Sequence, residues 1–251
     1  MTPSPITRVL STLRDRNVQS LLMGGQACIL YGGAEFSRDT DFTVFASRDN
    51  LDRLREALDD LQAEVVAVPP FELAYLERGH AVHFRCRRPD VERMRVDIMT
   101  KMRGVDPFPD LWERRTTLAL SGGLELDVLG LPDLVASKKT QRDKDWPMIR
   151  SLVEADYERG YDSPPPERVG FWLRELRTPE VLVDAARRFP TEARAAAPER
   201  PALEAAMEGD VKETDRRLAE EQKMEMERDR AWWQPLRKEL EELRHGRRRR
   251  E

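Results

Sequence analysis

Cysteine is nearly absent. The 251 residues hold only Cys28 and Cys86, which excludes a disulfide framework and a cysteine-rich metal centre and reads as two reduced thiols of an intracellular protein. Long apolar runs are missing as well: nothing approaches the ~20 residues of a membrane span. No basic, apolar, small-residue leader follows Met1. Charge of one sign is also lacking. The formal net charge is −4, so any nucleic-acid contact must come from a local basic patch. There is no G-x-G-x-x-G after a strand and no Walker pattern, which removes the Rossmann and P-loop readings. These absences leave a soluble, cytoplasmic chain with no membrane partner.

The residues that are present suffice for a core: 39% are apolar, while 36% are charged, which suits a helix-rich, well-solvated surface. Composition changes near residue 160. Before it, short β-prone runs alternate with amphipathic segments; after it, Glu, Arg, Ala, Leu and Lys dominate. The division expected is an α/β domain over 1–130 and a helical region over 131–251. Within the latter, 131–158 would complete the active site, 165–245 would be helices and 246–251 a basic tail. Helices are expected at 6–14, 26–31, 50–61 with Asn50 as N-cap, 131–143, 145–157 and 169–176. One long charged helix is expected over 211–244, with a break near Pro235. Strands are expected at 18–23, 41–45, 64–68, 81–85, 95–100, 116–120 and 124–128. His80 and His83 would fall on opposite faces of a strand.

The stretch "LMGGQACILYGGAEFSRDTDFTVF" carries the chemistry. Gly24-Gly25 separates a strand from a helix, where backbone N–H groups can approach a phosphate and the helix dipole favours an anion. A tight strand-to-helix turn would use the same residues. Asp39 and Asp41, two apart in an extended segment, point to one side and can meet one cation; such pairs are also common in turns. Asp97 is an acid inside the apolar run "MRVDIMT", a costly place without a partner, or a place on an exposed face. A shared Mg²⁺, which takes one or two carboxylates plus phosphate oxygens, would account for all three. "LPDLVASKKTQRDKDWPMI" adds Lys138 and Arg142 at helical spacing with Lys139 between them, cations able to offset a triphosphate or to form a salt-bridged solvated face.

The order of these elements resembles the DNA polymerase β-like nucleotidyltransferase superfamily, with the flavour of stand-alone bacterial nucleotidyltransferases related to AbiE-type toxins and aminoglycoside nucleotidyltransferases. The resemblance covers about residues 15–155. It implies an α+β fold, a short mixed sheet flanked by helices and followed by a helical region. It implies that Gly24 and Gly25 contact phosphate and that Asp39, Asp41 and Asp97 are catalytic acids binding Mg²⁺ or Mn²⁺. Ser37 and Arg38 would stand in the family's nucleotide-binding stretch. Lys138 or Lys139 would reach the triphosphate of an NTP, Asp133 would cap or brace a helix, and Arg142 and Asp145 would match an R-x-x-D position. The chain departs from the family at Glu35, where an arginine is common. In a second register, Asp41 and Thr43 take the place of the acid pair.

The activity so implied is transfer of NMP from an NTP to a hydroxyl of RNA, tRNA included, or of protein, ahead of a small antibiotic. A different class remains open: a nucleotide-sensing or inactive binding module of a toxin–antitoxin or regulatory pair. For that reading, Trp232, Trp233, Leu236, Leu240 and Leu243 would form a self-association or partner stripe. The same stripe could fold back on the first domain.

Overall fold

A computed structural model describes residues 4–34, 37, 39–120 and 123–249. They form an α+β fold with a mixed sheet. The chain divides into two compact units, one made of Met1–Leu30, Phe36–Ser137 and Trp232–Glu251, the other of Tyr31–Glu35 and Lys138–Ala231. Among the described residues, no helix is long and apolar enough to cross a membrane.

The first unit begins with α1 (Pro5–Asp15), β1 (Ser20–Met23), α2 (Gly24–Leu30), β2 (Asp39–Val44) and α3 (Arg48–Asp60). There follow β3 (Ala63–Val65), α4 (Leu73–Arg78), β4 (Val82–Cys86), β5 (Arg95–Met99), α5 (Phe108–Glu113), β6 (Thr116–Leu120), β7 (Leu124–Val128) and α6 (Leu131–Lys138). The seven strands stand in the order β3-β4-β5-β2-β1-β7-β6. β2 runs antiparallel to β1 and parallel to β5, while β4 runs antiparallel to β5.

Alternation along these strands separates two faces. Phe42, Val44, Val82, Phe84, Val96 and Ile98 are all buried and share one face. Asp39, Asp41, His83, Arg95 and Asp97 share the other. The amphipathic helices α1 and α3 pack together and bury Val9, Leu10, Leu13, Leu51, Leu54 and Leu58.

Asn50 does not cap α3. Ser47 does, accepting from the Asn50 backbone N–H at 3.2 Å. The Asn50 side chain is fully buried and used elsewhere: it accepts from Gln19 N and donates to the carbonyls of Gln19 and Phe45. Asn50 gives the Gln19 N–H its acceptor and adds a second donor to two carbonyls that backbone N–H groups already reach, Phe45 N to Gln19 and Ser47 N to Phe45, so the asparagine is used in tertiary structure. His80 also departs from expectation, since it precedes β4 rather than lying in it.

The second unit holds α7 (Asp145–Gly160), α8 (Pro166–Glu175), α9 (Pro179–Arg188), α10 (Pro190–Ala196), α11 (Ala202–Glu208) and most of α12 (Val211–Arg248). Trp172 is fully buried and donates to Asp156 at 2.8 Å, and Arg168 closes on the same carboxylate. Arg200 donates to the carbonyls of Leu173 and Leu176, which satisfies the orphan C-terminal acceptors of α8.

Helix α12 runs unbroken past Pro235 and extends to Arg248, through much of the segment expected as a basic tail. Its part from Trp232 onward belongs to the first unit. There Glu239 bonds His80 and Arg78, and Trp232 and Leu236 lie against Gly79. The apolar stripe expected at this end thus meets its own chain, with Leu236 buried.

Candidate active site

The site is built on β2 and β5. Their parallel pairing sets Asp39 opposite Arg95 and Asp41 opposite Asp97, and β4 continues the row by setting His83 opposite Asp97. Paired residues in adjacent strands point to the same side. The three acids expected from sequence therefore share one sheet face, and strand periodicity explains why Asp39 and Asp41 do so together.

The turn after β1 closes on this row. Gly24 has φ +67°, and a Cβ placed on it would lie 1.9 Å from Asp41 Oδ2; one on Gly25 would lie 2.5 Å from Ser37 Oγ. The glycines are therefore required by the close approach of Asp41 and Ser37, beyond any role toward a phosphate. Ser37 donates to the Asp39 carbonyl at 3.2 Å, and Gln26 donates to the Ser37 carbonyl at 2.9 Å, fixing the entry to β2. Glu35 and Arg38 lie outside the described residues.

Sequence reasoning missed two partners of the acids. Arg95 reaches both outer ones: Nη2 donates to Asp97 Oδ2 at 2.9 Å, and Nη1 stands 3.6 Å from Asp39 Oδ2. His83 Nδ1 lies 2.9 Å from Asp97 Oδ1 and 3.3 Å from Arg95 Nη2. The spacing of Arg95, two residues before Asp97 in a strand, was the signal that could have found it. The Asp97 side chain is 8% exposed, and its Oδ1 takes no aligned hydrogen bond despite the imidazole beside it.

A divalent ion suits this donor set chemically. The donors are hard oxygens, and a buried carboxylate oxygen without a hydrogen bond is costly unless a cation or donor meets it. As the side chains stand, no three His, Cys, Asp or Glu residues among those described are gathered as ligands, and the Arg95 guanidinium holds the position between Asp39 and Asp97.

The cations expected around a triphosphate belong to the second unit, where each has a carboxylate partner. Lys138 stands 3.7 Å from Asp145, Arg142 donates to Asp145 at 2.8 Å, and Lys139 donates to Glu175 at 2.7 Å. Helix α6 ends at Lys138 instead of running to 143, so Lys138 and Arg142 share no helix face. The reason is local. Thr140 donates to buried Asp145, Trp146 donates to the Thr140 carbonyl, and Asp229 accepts from Gln141 N, so the loop satisfies its own polar groups. Asp133 braces rather than caps: it sits in the first turn of α6 and takes two bonds from Arg114, at 2.7 and 2.8 Å. That contact raises the Arg114 pKa well above its ordinary value.

No protein-family model matches the chain, and no curated protein matches it. Two solved structures are similar at 13% identity and a TM-score of 0.38. One, from H. pylori, is described as a "putative nucleotidyltransferase"; the match covers 90% of this chain and 94% of that one. The other is JHP933 from Helicobacter pylori, with 93% and 94% covered. The functional reading therefore rests on the residues themselves.

Proposed function

We propose that the chain is a metal-dependent nucleotidyltransferase that moves NMP from an NTP to a hydroxyl acceptor. One observation carries this reading: the register that sets Asp41 beside Asp97 and Asp39 one step along the same face, with Gly24 packed against Asp41. Asp39, Asp41 and Asp97 would hold Mg²⁺ or Mn²⁺. When bound, such an ion neutralises phosphate charge and lowers the pKa of a hydroxyl. Asp97, the buried member, orients the acceptor hydroxyl from the strand interior. Gly24 and Gly25 leave backbone N–H groups unobstructed toward phosphate oxygens, and Ser37 fixes the start of β2. Lys138, Lys139 and Arg142 are not called on, because their charges are already matched within the second unit.

The acceptor class expected is an RNA or protein hydroxyl. The test is purified protein with labelled NTPs, Mg²⁺ and panels of RNA, protein and aminoglycoside acceptors. Transfer of label that Asp39→Ala and Asp97→Ala abolish is the expected result. Each ~1.36 kcal/mol lost from transition-state binding costs tenfold in rate. Transfer unchanged in both variants would end the assignment.

The bridge from Arg95 to Asp39 and Asp97 favours a second reading, a nucleotide-sensing or inactive module of a toxin–antitoxin or regulatory pair. In that case Mg²⁺-NTP would leave the melting temperature unmoved, or move it without any transfer.

A further inference from the structure

We propose that Arg95 is a built-in counter-ion that makes metal binding at this site depend on nucleotide. The inference rests on reading Asp39, Asp41 and Asp97 as metal ligands. Its ground is the position of one guanidinium. Arg95 Nη2 holds Asp97 Oδ2 at 2.9 Å while Nη1 faces Asp39 Oδ2 at 3.6 Å. A divalent ion drawing on both carboxylates would need the same oxygens.

The competition is unequal without nucleotide. A hydrogen bond between two charged groups is stronger than one between neutral groups, and Asp97 is shielded from water, so the bond is weakly screened. A cation arriving alone must displace Arg95 and leave a guanidinium with no anion. Its Nε is buried and has no hydrogen-bond partner, and among the described residues His83 is the one neutral neighbour of its Nη2, so the head cannot fall back on neutral acceptors of equal strength. A triphosphate arriving with the cation supplies phosphate oxygens, the anion a planar guanidinium binds best. The two ligands therefore bind synergistically, with Arg95 exchanging carboxylate for phosphate.

The other cations named from the sequence do not substitute. Lys138, Lys139 and Arg142 are paired within their own unit. Arg85 stands opposite Arg95 across β4 and β5, and its like charge favours movement of Arg95 once Asp97 is taken by a metal.

The experiment counts bound Mn²⁺ by electron paramagnetic resonance, with and without a non-hydrolysable ATP analogue, in the full chain, Arg95→Gln, Arg95→Lys and Asp97→Asn. In the unaltered chain, Mn²⁺ alone is expected to bind weakly and to tighten with the analogue. In Arg95→Gln, Mn²⁺ alone tightens about tenfold, equivalent to ~1.4 kcal/mol, and the gain from the analogue shrinks. Arg95→Lys, a point charge that cannot bridge, falls between; it also serves if the glutamine variant fails to fold.

A purely structural Arg95 would lower metal affinity when replaced, not raise it. If Mn²⁺ binds the unaltered chain and both Arg95 variants equally and is lost in Asp97→Asn, the gating is wrong and the metal site stands. If Mn²⁺ binds none of them with or without the analogue, the metal reading itself fails, and the gating with it.

Discussion

Gly24 and Asp41 are in such close contact that a methyl group on the glycine would overlap the carboxylate, with Oδ2 only 1.9 Å from the added Cβ. Gly24 also has φ +67°, where a side chain costs roughly 1–2 kcal/mol. Gly104 shares that conformation at φ +68° but has nothing within 4 Å. Gly24→Ala and Gly104→Ala should therefore lose similar stability from backbone strain. Only Gly24→Ala should also lose the nucleotide-dependent rise in melting temperature, because only it displaces Asp41. Equal behaviour of the two variants in both measurements would show that the contact does not matter.

Asn50 is a second target. Its side chain satisfies three backbone groups of Gln19 and Phe45 from a fully buried position. Asn50→Ala leaves the Gln19 N–H without its acceptor, at about 1–3 kcal/mol if no water rescues it, while the two carbonyls keep the backbone donors Phe45 N and Ser47 N. Chemical denaturation should show a loss on the order of 2 kcal/mol with an unchanged m-value. Stability unchanged by the substitution would contradict the tertiary role.

The end of α12 should be sensitive to acid. His80 is buried and pairs with Glu239 at 2.7 Å, while Arg78 takes the other carboxylate oxygen at 2.7 Å. These contacts, His80 first and then Arg78, hold the Glu239 carboxyl below its ordinary value of 4.5, against the opposing effect of burial. A depressed carboxylate contributes stability that is complete above its unfolded pKa and drains as pH falls through the folded one. The Trp232 environment beside Lys101 and Gly79 should thus loosen only below about pH 4.5. Fluorescence of a variant with Trp232 as the remaining α12 tryptophan follows it. Glu239→Gln should remove that transition; a transition that persists belongs to another group.

Cys86 has no exposed surface, and burial pushes its thiol up to about 11, with Arg88 opposing and Asp90 adding to the shift. Cys28 is likewise fully buried. At pH 8 neither should react with a thiol reagent until the chain unfolds. Rapid labelling of one thiol in the native protein would contradict the packing around it.

The strands were legible because their signal is local. Apolar alternation and β-branched runs located all seven, and the separation of two residues put Asp39 and Asp41 on one face. The pairing of Asp41 with Asp97 was not legible, since a separation of 56 positions leaves register to tertiary structure. The resemblance supplied that pairing before geometry did.

Asn50 was misread because its side chain bonds Gln19, distant in sequence, and propensity is blind to that; the end of α6 was misread because Thr140, Asp145 and Trp146 bond one another locally in place of another helical turn. The short helices α4 and α5 carry too few turns for periodicity to register, while α9–α11 fall within the helical region expected over 165–245 without being separated there. Arg95 was not legible because an arginine in a strand reads as a solvent-facing residue, and its place two residues before Asp97 gains meaning only once β2 and β5 are paired.

The central claim is that Asp41 and Asp97 jointly hold a metal that carries nucleotide. A crystal soaked with Mn²⁺ and a non-hydrolysable NTP tests it most directly, read by anomalous scattering. The expected result is a Mn²⁺ peak about 2.1–2.3 Å from oxygens of Asp41 and Asp97, with a phosphate oxygen in the same coordination sphere and Arg95 moved off Asp97. Nucleotide bound elsewhere, or Arg95 still seated between Asp39 and Asp97 with no peak beside Asp41, would contradict it.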